Sequence, residues 1–256
     1  MWKFPRILAH RGGGSFAPEN TLAAIRCGIA YGYRAVEFDT MLSADDVPVL
    51  MHDPCFGRTV GGAGKVCDVS ARELMSMDAG AWFGPQYAGE RVPSLEGTIL
   101  FCKENSVWMN IEIKPARGFE ERTGMVVAHT VRRMFGMGLE SAPPDGDPSL
   151  PLLSSFSVEA LMAAKSAAPG IARALLVDAV PPDWRERLDG LDAVALHVNH
   201  RKLTAAGTRA VRQAGYGLFC YTVNDPARAR QLLSWGVDAF CTDRIDLIAP
   251  DFPSTG

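Results

Sequence analysis

Ile7-Leu8-Ala9-His10-Arg11-Gly12-Gly13-Gly14, followed after three residues by Pro18-Glu19-Asn20-Thr21, reads as one complete strand–loop–helix unit. The apolar run stops on a His-Arg pair. Three glycines then leave room for the backbone to approach a ligand. Asn20-Thr21 supplies capping side chains, and Leu22, Ile25 and Ile29 recur at helical spacing beyond them. The same unit recurs along the 256 residues. Apolar stretches at 6–10, 35–41, 107–114, 151–155, 172–177, 193–198, 217–222 and 238–242 alternate with amphipathic ones. Several are apolar almost without interruption, as strands buried on both faces of a parallel sheet must be. Ser157 opens a helix that stops at Pro169-Gly170, Thr204 opens one that stops at Gly215, and Asp225-Pro226 opens one closed by Gly236. Eight such units predict an α/β chain folded as a (β/α)8 TIM barrel, one domain over residues 1–256. An open doubly wound sheet is the alternative. It needs a topological switch point, and no Gly-x-Gly-x-x-Gly fingerprint marks one.

One region breaks the alternation. Val47-Pro48-Val49-Leu50-Met51-His52 reads as an extra strand. Residues 53–93 are then rich in glycine and aromatics, with one short helix capped by Ser70 and Glu73. This predicts a small insertion on the barrel rim after the second strand. Residues 139–150, rich in Pro, Asp and Gly, read as a plain loop on the opposite face.

The formal net charge of −3 provides neither a basic surface for nucleic acid nor one for anionic lipid. Neither partner is expected, and no stable membrane association. No apolar run is long enough to span a bilayer. Met1-Trp2-Lys3-Phe4-Pro5-Arg6 lacks the apolar core of a signal peptide. The six cysteines are scattered with no Cys-x-x-Cys spacing, which suits reduced thiols. A cytoplasmic location is expected.

Side chains at i and i+2 of a strand share a side. Glu37 and Asp39 form one such pair, and Glu112 and Lys114 another, each at the C-terminal end of an apolar strand, where barrel active sites are built. Three carboxylates in an apolar mouth repel one another unless a cation joins them. An all-oxygen set suits one hard divalent ion, Mg²⁺ or Ca²⁺. Buried ion pairing, with Lys114 answering Glu112, is the structural alternative. His10 and His52 end two strands and provide the two titrating groups that acid–base chemistry near neutral pH requires. Arg11 and Lys114 suit a phosphate, although Arg11 has Glu19 and Asp39 as alternative partners. Phe156, His197 and Tyr221 decorate other strand ends as candidate pocket residues. His129 and His200 read as ordinary histidines.

In order, His-Arg-Gly, Pro-Glu-Asn-Thr, Glu-x-Asp, His-Asp and Glu-Ile-Lys resemble the glycerophosphodiester phosphodiesterase family. Arg58-Thr59, Asp78-Ala79-Gly80, Ser154-Ser155-Phe156, Tyr221-Thr222-Val223-Asn224 and Thr242-Asp243 extend the match from about Ile7 to Asp246. The resemblance is to the cytoplasmic bacterial type linked to glycerol-phosphate uptake. It implies a TIM barrel and metal-dependent hydrolysis of small glycerophosphodiesters to sn-glycerol 3-phosphate and an alcohol, by way of a cyclic phosphate. It also implies Glu37, Asp39 and Glu112 as metal ligands, His10 and His52 as the acid–base pair, and Arg11 and Lys114 on the phosphate. Many relatives carry tryptophan where this chain has Tyr221. Competing readings are a lysophospholipase D-like phosphodiesterase, a sugar-phosphate aldolase or isomerase on the same barrel with Lys114 as its amine, and a binding module without turnover.

Overall fold

The computed structural model describes residues 2–136, 142–143 and 145–253. Eight parallel strands close into a barrel: β1 (Ile7–Ala9), β2 (Ala35–Leu42), β4 (Trp108–Ile113), β5 (Leu152–Ser155), β6 (Arg173–Val177), β7 (Ala195–Asn199), β8 (Gly217–Tyr221) and β9 (Ala239–Thr242). Pairing of Ala9 with Val36 joins β1 to β2, and Ile7 with Phe240 joins β1 to β9, so no parallel edge is left open. Between the strands run α1 (Leu22–Ala30), α3 (Leu95–Glu104), α4 (Glu120–Phe135), α5 (Val158–Ala167), α6 (Trp184–Leu191), α7 (Ala205–Gln213) and α8 (Pro226–Trp235). This is the TIM barrel the alternation predicts, with strand ends shifted by one or two residues.

The capping signals act as read. Thr21, Ser157 and Thr204 each accept a hydrogen bond from the amide three residues on, and Asp225 accepts from Ala227 with Pro226 in the first turn. The extra strand is real but short. β3 (Pro48–Leu50) lies antiparallel on β2, with Thr40 opposite Leu50 and Leu42 opposite Pro48. β2 runs on past the end of β1, which pairs with it only through Ala9 and Val36, and β3 pairs along that free edge, opposite the one β4 occupies. The amide of Met51 then donates to the carbonyl of Asp39 (3.2 Å), which brings His52 alongside the strand end that carries Asp39.

The following segment, with α2 (Ala71–Leu74), has an apolar cluster of its own. Val60, Val66, Leu74, Ala79 and Val92 pack with Met41, Val49 and Met51 from β2, β3 and the residue after it. Residues 139–141 and 144 of the expected loop lie outside the described residues. Within the rest, Asp145 pairs with Lys3 (2.6 Å), and a Cβ on Gly146 would meet the Phe4 ring, so the segment lies at the barrel's N-terminal end.

The main core fills the space between strands and helices, with Ile111, Ile113, Leu153, Leu196, Leu218 and Phe240 facing outward from the sheet. The barrel interior is layered. Stepping one residue per strand around a tilted eight-stranded barrel puts four inward side chains from alternate strands at each level. By the observed registers, Leu8, Asn110, Ala174 and Phe219 form one level. Glu37, Ser154, His197 and Cys241 lie above it, then His10, Glu112, Leu176 and Tyr221. Trp2, Phe4 and Trp108 plug the N-terminal end, with Trp2 and Phe4 rings 5.2 Å apart and Phe4 and Trp108 5.4 Å apart. The interior therefore passes from aromatic at the base to carboxylate and imidazole at the mouth.

Candidate active site

Glu37 and Asp39 point inward from β2 and Glu112 from β4. Their carboxylate oxygens lie within 4.8 Å of one another, and all three residues are buried. Each is held from a different direction. The Arg11 amide donates to Glu37 Oε2 (3.1 Å) from a turn in which Arg11 itself has φ +50°. Asn20, with φ +58°, donates from Nδ2 to Asp39 Oδ2 (2.9 Å) and accepts from the Asp39 amide through Oδ1 (3.1 Å). Left-handed backbone at two non-glycine residues is uncommon, and both occurrences aim a donor at a carboxylate. Lys114 Nζ lies 3.4 Å from Asp39 Oδ1 and 3.7 Å from Glu112 Oε1.

Burial, reinforced by the neighbouring Asp39, pushes the Glu37 and Glu112 carboxyls well above the usual carboxylate range. Burial acts the same way on Asp39, but Lys114 and Arg11 outweigh it and hold that group low. Around the mouth, six carboxylates (Glu19, Glu37, Asp39, Asp53, Glu112 and Asp243) face three fixed cations (Arg11, Arg58 and Lys114). The excess of buried negative charge, the all-oxygen donor set and the clustering of donor atoms fit a hard divalent cation.

The two imidazoles share one arrangement. His10 Nδ1 is 2.6 Å from Asp243 Oδ1, and His52 Nδ1 is 2.6 Å from Asp53 Oδ1. Asp243 in turn accepts from Asn224 Nδ2 (2.8 Å) and Asp53 from Arg58 Nε (2.6 Å). Each carboxylate fixes a ring orientation and favours the proton on Nδ1, leaving Nε2 for other chemistry. His10 Nε2 lies 3.7 Å from Glu37 Oε2. Burial works to lower the His10 pKa, but the Asp243 hydrogen bond and the charges of Glu37 and Asp243 raise it overall. His52 is lowered, by burial first and then by Arg11 and Lys114, against the pull of Asp39 and Asp53. Space at this turn is tight. A Cβ on Gly14, φ +55°, would fall 2.3 Å from the Asp243 carbonyl oxygen.

Arg11 is engaged by both partners that sequence reading offered it, with Nη1 2.6 Å from Glu19 Oε1 and Nε 3.4 Å from Asp39 Oδ2. Phe156 is 51% exposed at the end of β5, and its ring meets Tyr221 edge-on at 5.8 Å. The Tyr221 hydroxyl donates to the Val177 carbonyl (2.9 Å). His197 corrects the sequence reading. β7 continues two residues past it to Asn199, and His197 lies across the barrel interior from Glu37 on the same level, fully buried, its ring packed 4.4 Å from Phe219 on the level below. Burial drives its pKa down to about 3, so it stays neutral. Asp53, Asp243 and Arg58 stand in the sequence only as parts of motifs, Asn20 as a capping side chain and Glu19 as a partner for Arg11 alone. Their roles rest on pairings between distant loops.

The matching family model is the Glycerophosphoryl diester phosphodiesterase family, over residues 10–247. The chain belongs to that family. Among curated proteins it is 30% identical to YhdW of Bacillus subtilis (strain 168), over 96% of this chain and 97% of that one. It is 29% identical to the glycerophosphodiester phosphodiesterase of Caldanaerobacter subterraneus subsp. tengcongensis, over 93% of each. Among solved structures, an Oleispira antarctica phosphodiesterase in complex with the product sn-glycerol-3-phosphate superposes with a TM-score of 0.85 at 35% identity. The match covers 94% of this chain and 93% of that one. No helix among the described residues is long and apolar enough to cross a membrane.

Proposed function

We propose that the chain hydrolyses glycerophosphodiesters to sn-glycerol 3-phosphate and an alcohol, using one divalent cation and the two imidazoles. The observation that carries this reading is the pair of His–Asp contacts, His10–Asp243 and His52–Asp53, both at 2.6 Å beside the three-carboxylate cluster. One such dyad is common in proteins. Two beside a cation-binding cluster suit a displacement at phosphorus, in which one proton leaves the attacking hydroxyl and another joins the departing alkoxide. The product bound by the Oleispira antarctica relative agrees with the substrate class.

Glu37, Asp39 and Glu112 would hold the cation, Mg²⁺ or Ca²⁺ by their oxygen chemistry. Bound there, the ion supplies Lewis-acid stabilisation of charge on a non-bridging phosphate oxygen. The chain's own residues do the rest. Arg11 and Lys114 present fixed positive charge to the phosphate, Arg11 through its planar fork. Asp243 and Asp53 hold their imidazoles so that Nε2 meets the proton to be moved. Tyr221 and Phe156 offer ring faces to the carbons of a small polyol.

The deciding experiment is an assay for released glycerol 3-phosphate with glycerophosphocholine and glycerophosphoethanolamine. Activity is expected with either substrate. It should be lost in EDTA and return with Mg²⁺ or Ca²⁺. No glycerol 3-phosphate from any glycerophosphodiester refutes the substrate class, and undiminished turnover in chelator removes the cation from the reaction. A Schiff-base aldolase on the same barrel would need a neutral lysine. Lys114 Nζ lies 3.4 Å from Asp39 and 3.7 Å from Glu112 rather than in the apolar pocket that chemistry uses.

A further inference from the structure

Arg58 comes from the exposed loop after His52-Asp53, outside the barrel, yet its guanidinium is spent on the catalytic mouth. Nε donates to Asp53 Oδ2 (2.6 Å), Nη1 to Glu19 Oε2 (2.7 Å) and Nη2 to Glu19 Oε1 (2.7 Å). Asp53 holds His52 through its other oxygen (2.6 Å), and Glu19 Oε1 also accepts from Arg11 Nη1 (2.6 Å). The result is an unbroken chain: Arg11, Glu19, Arg58, Asp53, His52. It joins the group assigned to the phosphate with one of the two assigned to proton transfer, across a boundary between two loops 39 residues apart in sequence.

We propose that Arg58, acting through Asp53 and Glu19, is a positioning residue for the reaction, fixing the His52 imidazole and the Arg11 guanidinium relative to each other. This rests on the reading of His52 as a proton-transfer group. Three features favour positioning over stabilisation. The Arg58 side chain is 44% exposed, and exposed ion pairs contribute little to folding. The loop has its own anchors: Val60 buried in the insertion's cluster, Phe56 bonded to Gly64, and Cys55 bridged to Lys65. The geometry is the fork-on-carboxylate arrangement that confers orientation as well as energy. The same contacts hold Asp53 down to about 2 and Glu19 below the usual range, so both remain ionised partners at neutral pH.

The test is steady-state kinetics with glycerophosphocholine on R58A, R58K, H52A and the R58A/H52A double variant. R58A should lose about 10–100-fold in kcat, the usual cost of removing a partner that orients an active group. R58K should not recover it, because an ammonium cannot span both carboxylates, whereas added methylguanidinium should recover part of it in R58A. In the H52A background the R58A change should cost less than about twofold further in kcat, because its effect on proton transfer passes through His52, while the rise in KM carried through Glu19 and Arg11 persists. R58A turnover within about twofold of the parent protein overturns the proposal, as do losses that multiply in full in the double variant. If R58A melts early, Glu19→Gln replaces it and must lower kcat and raise KM together. Full activity in H52A defeats the assignment of His52 itself, and the proposal with it. That outcome is distinct from failure of R58A alone.

Discussion

His10 and His52 have one chemistry in two environments. His10 is pushed up by Asp243 and Glu37, and His52 is pushed down by burial, Arg11 and Lys114. At neutral pH such a pair keeps one imidazole more ready to give a proton and the other more ready to take one, the division of labour a phosphodiester displacement requires. Replacing either histidine with alanine should lower kcat by about 10²–10⁴-fold while the melting temperature holds, because neither ring belongs to an apolar cluster. Near-full turnover in either variant removes that ring from the reaction. The Asp243 carboxylate can be tested separately. Asp243→Asn preserves size and the contact to Asn224 but no longer favours the proton on Nδ1, so kcat should fall by about 10² or more with KM little changed. A purely structural Asp243 would instead lower the melting temperature and leave kcat alone.

At the scale of the element, sequence and structure agree wherever the information is local. The i, i+2 rule placed Glu37, Asp39 and Glu112 on the inner side of β2 and β4, and Thr21, Ser157, Thr204 and Asp225 cap the helices they precede. What could not be read depends on pairing between distant elements. Asp243 reaches His10 across 233 residues, because β9 closes the barrel against β1. Asn20 reaches Asp39 only through a left-handed turn in the β1–α1 connection. His197 was misplaced because the exact strand end decides which inward residue is at the rim. Helix packing carries another signal that composition hides. Gly124 faces α5 so closely that a Cβ there would stand 2.0 Å from the Ala160 carbonyl oxygen. Gly124→Ala should therefore force α4 and α5 apart, at about 1–3 kcal/mol for overpacking, or several degrees of melting temperature. Turnover per folded molecule should remain near that of the parent, since α4 contributes nothing to the mouth. An unchanged melting curve would show that the two helices re-space without cost.

Across the whole molecule, the barrel is a dielectric gradient. Aromatic rings seal its base, and the carboxylates stand on a buried interior that solvates them poorly, so charge is costly at the mouth unless a cation answers it. Burial and Asp39 raise Glu37 from 4.5 to about 7 and Glu112 from 4.5 to about 8. Between the ordinary and the raised values the metal-free folded state binds more protons than the unfolded chain. The contribution of these groups to stability is therefore complete below about 4.5 and is lost as pH rises through about 7 and 8. His197, buried and neutral, has the opposite sign: its folded pKa near 3 costs stability as pH falls below 6.5. The raw pH profile of the metal-free protein mixes the two, and the difference between melting with cation and melting in EDTA isolates the mouth. A divalent ion displaces those protons, so its stabilisation should be larger at about pH 8 than at about pH 6, with proton release on binding at the lower pH. Paired melting curves at the two pH values, with Mg²⁺ or Ca²⁺ at fixed excess, measure it. An equal cation-induced shift at both would mean that the three carboxylates are already ionised without the ion. The buried cluster would then owe its charge to Lys114 and Arg11 rather than to a metal.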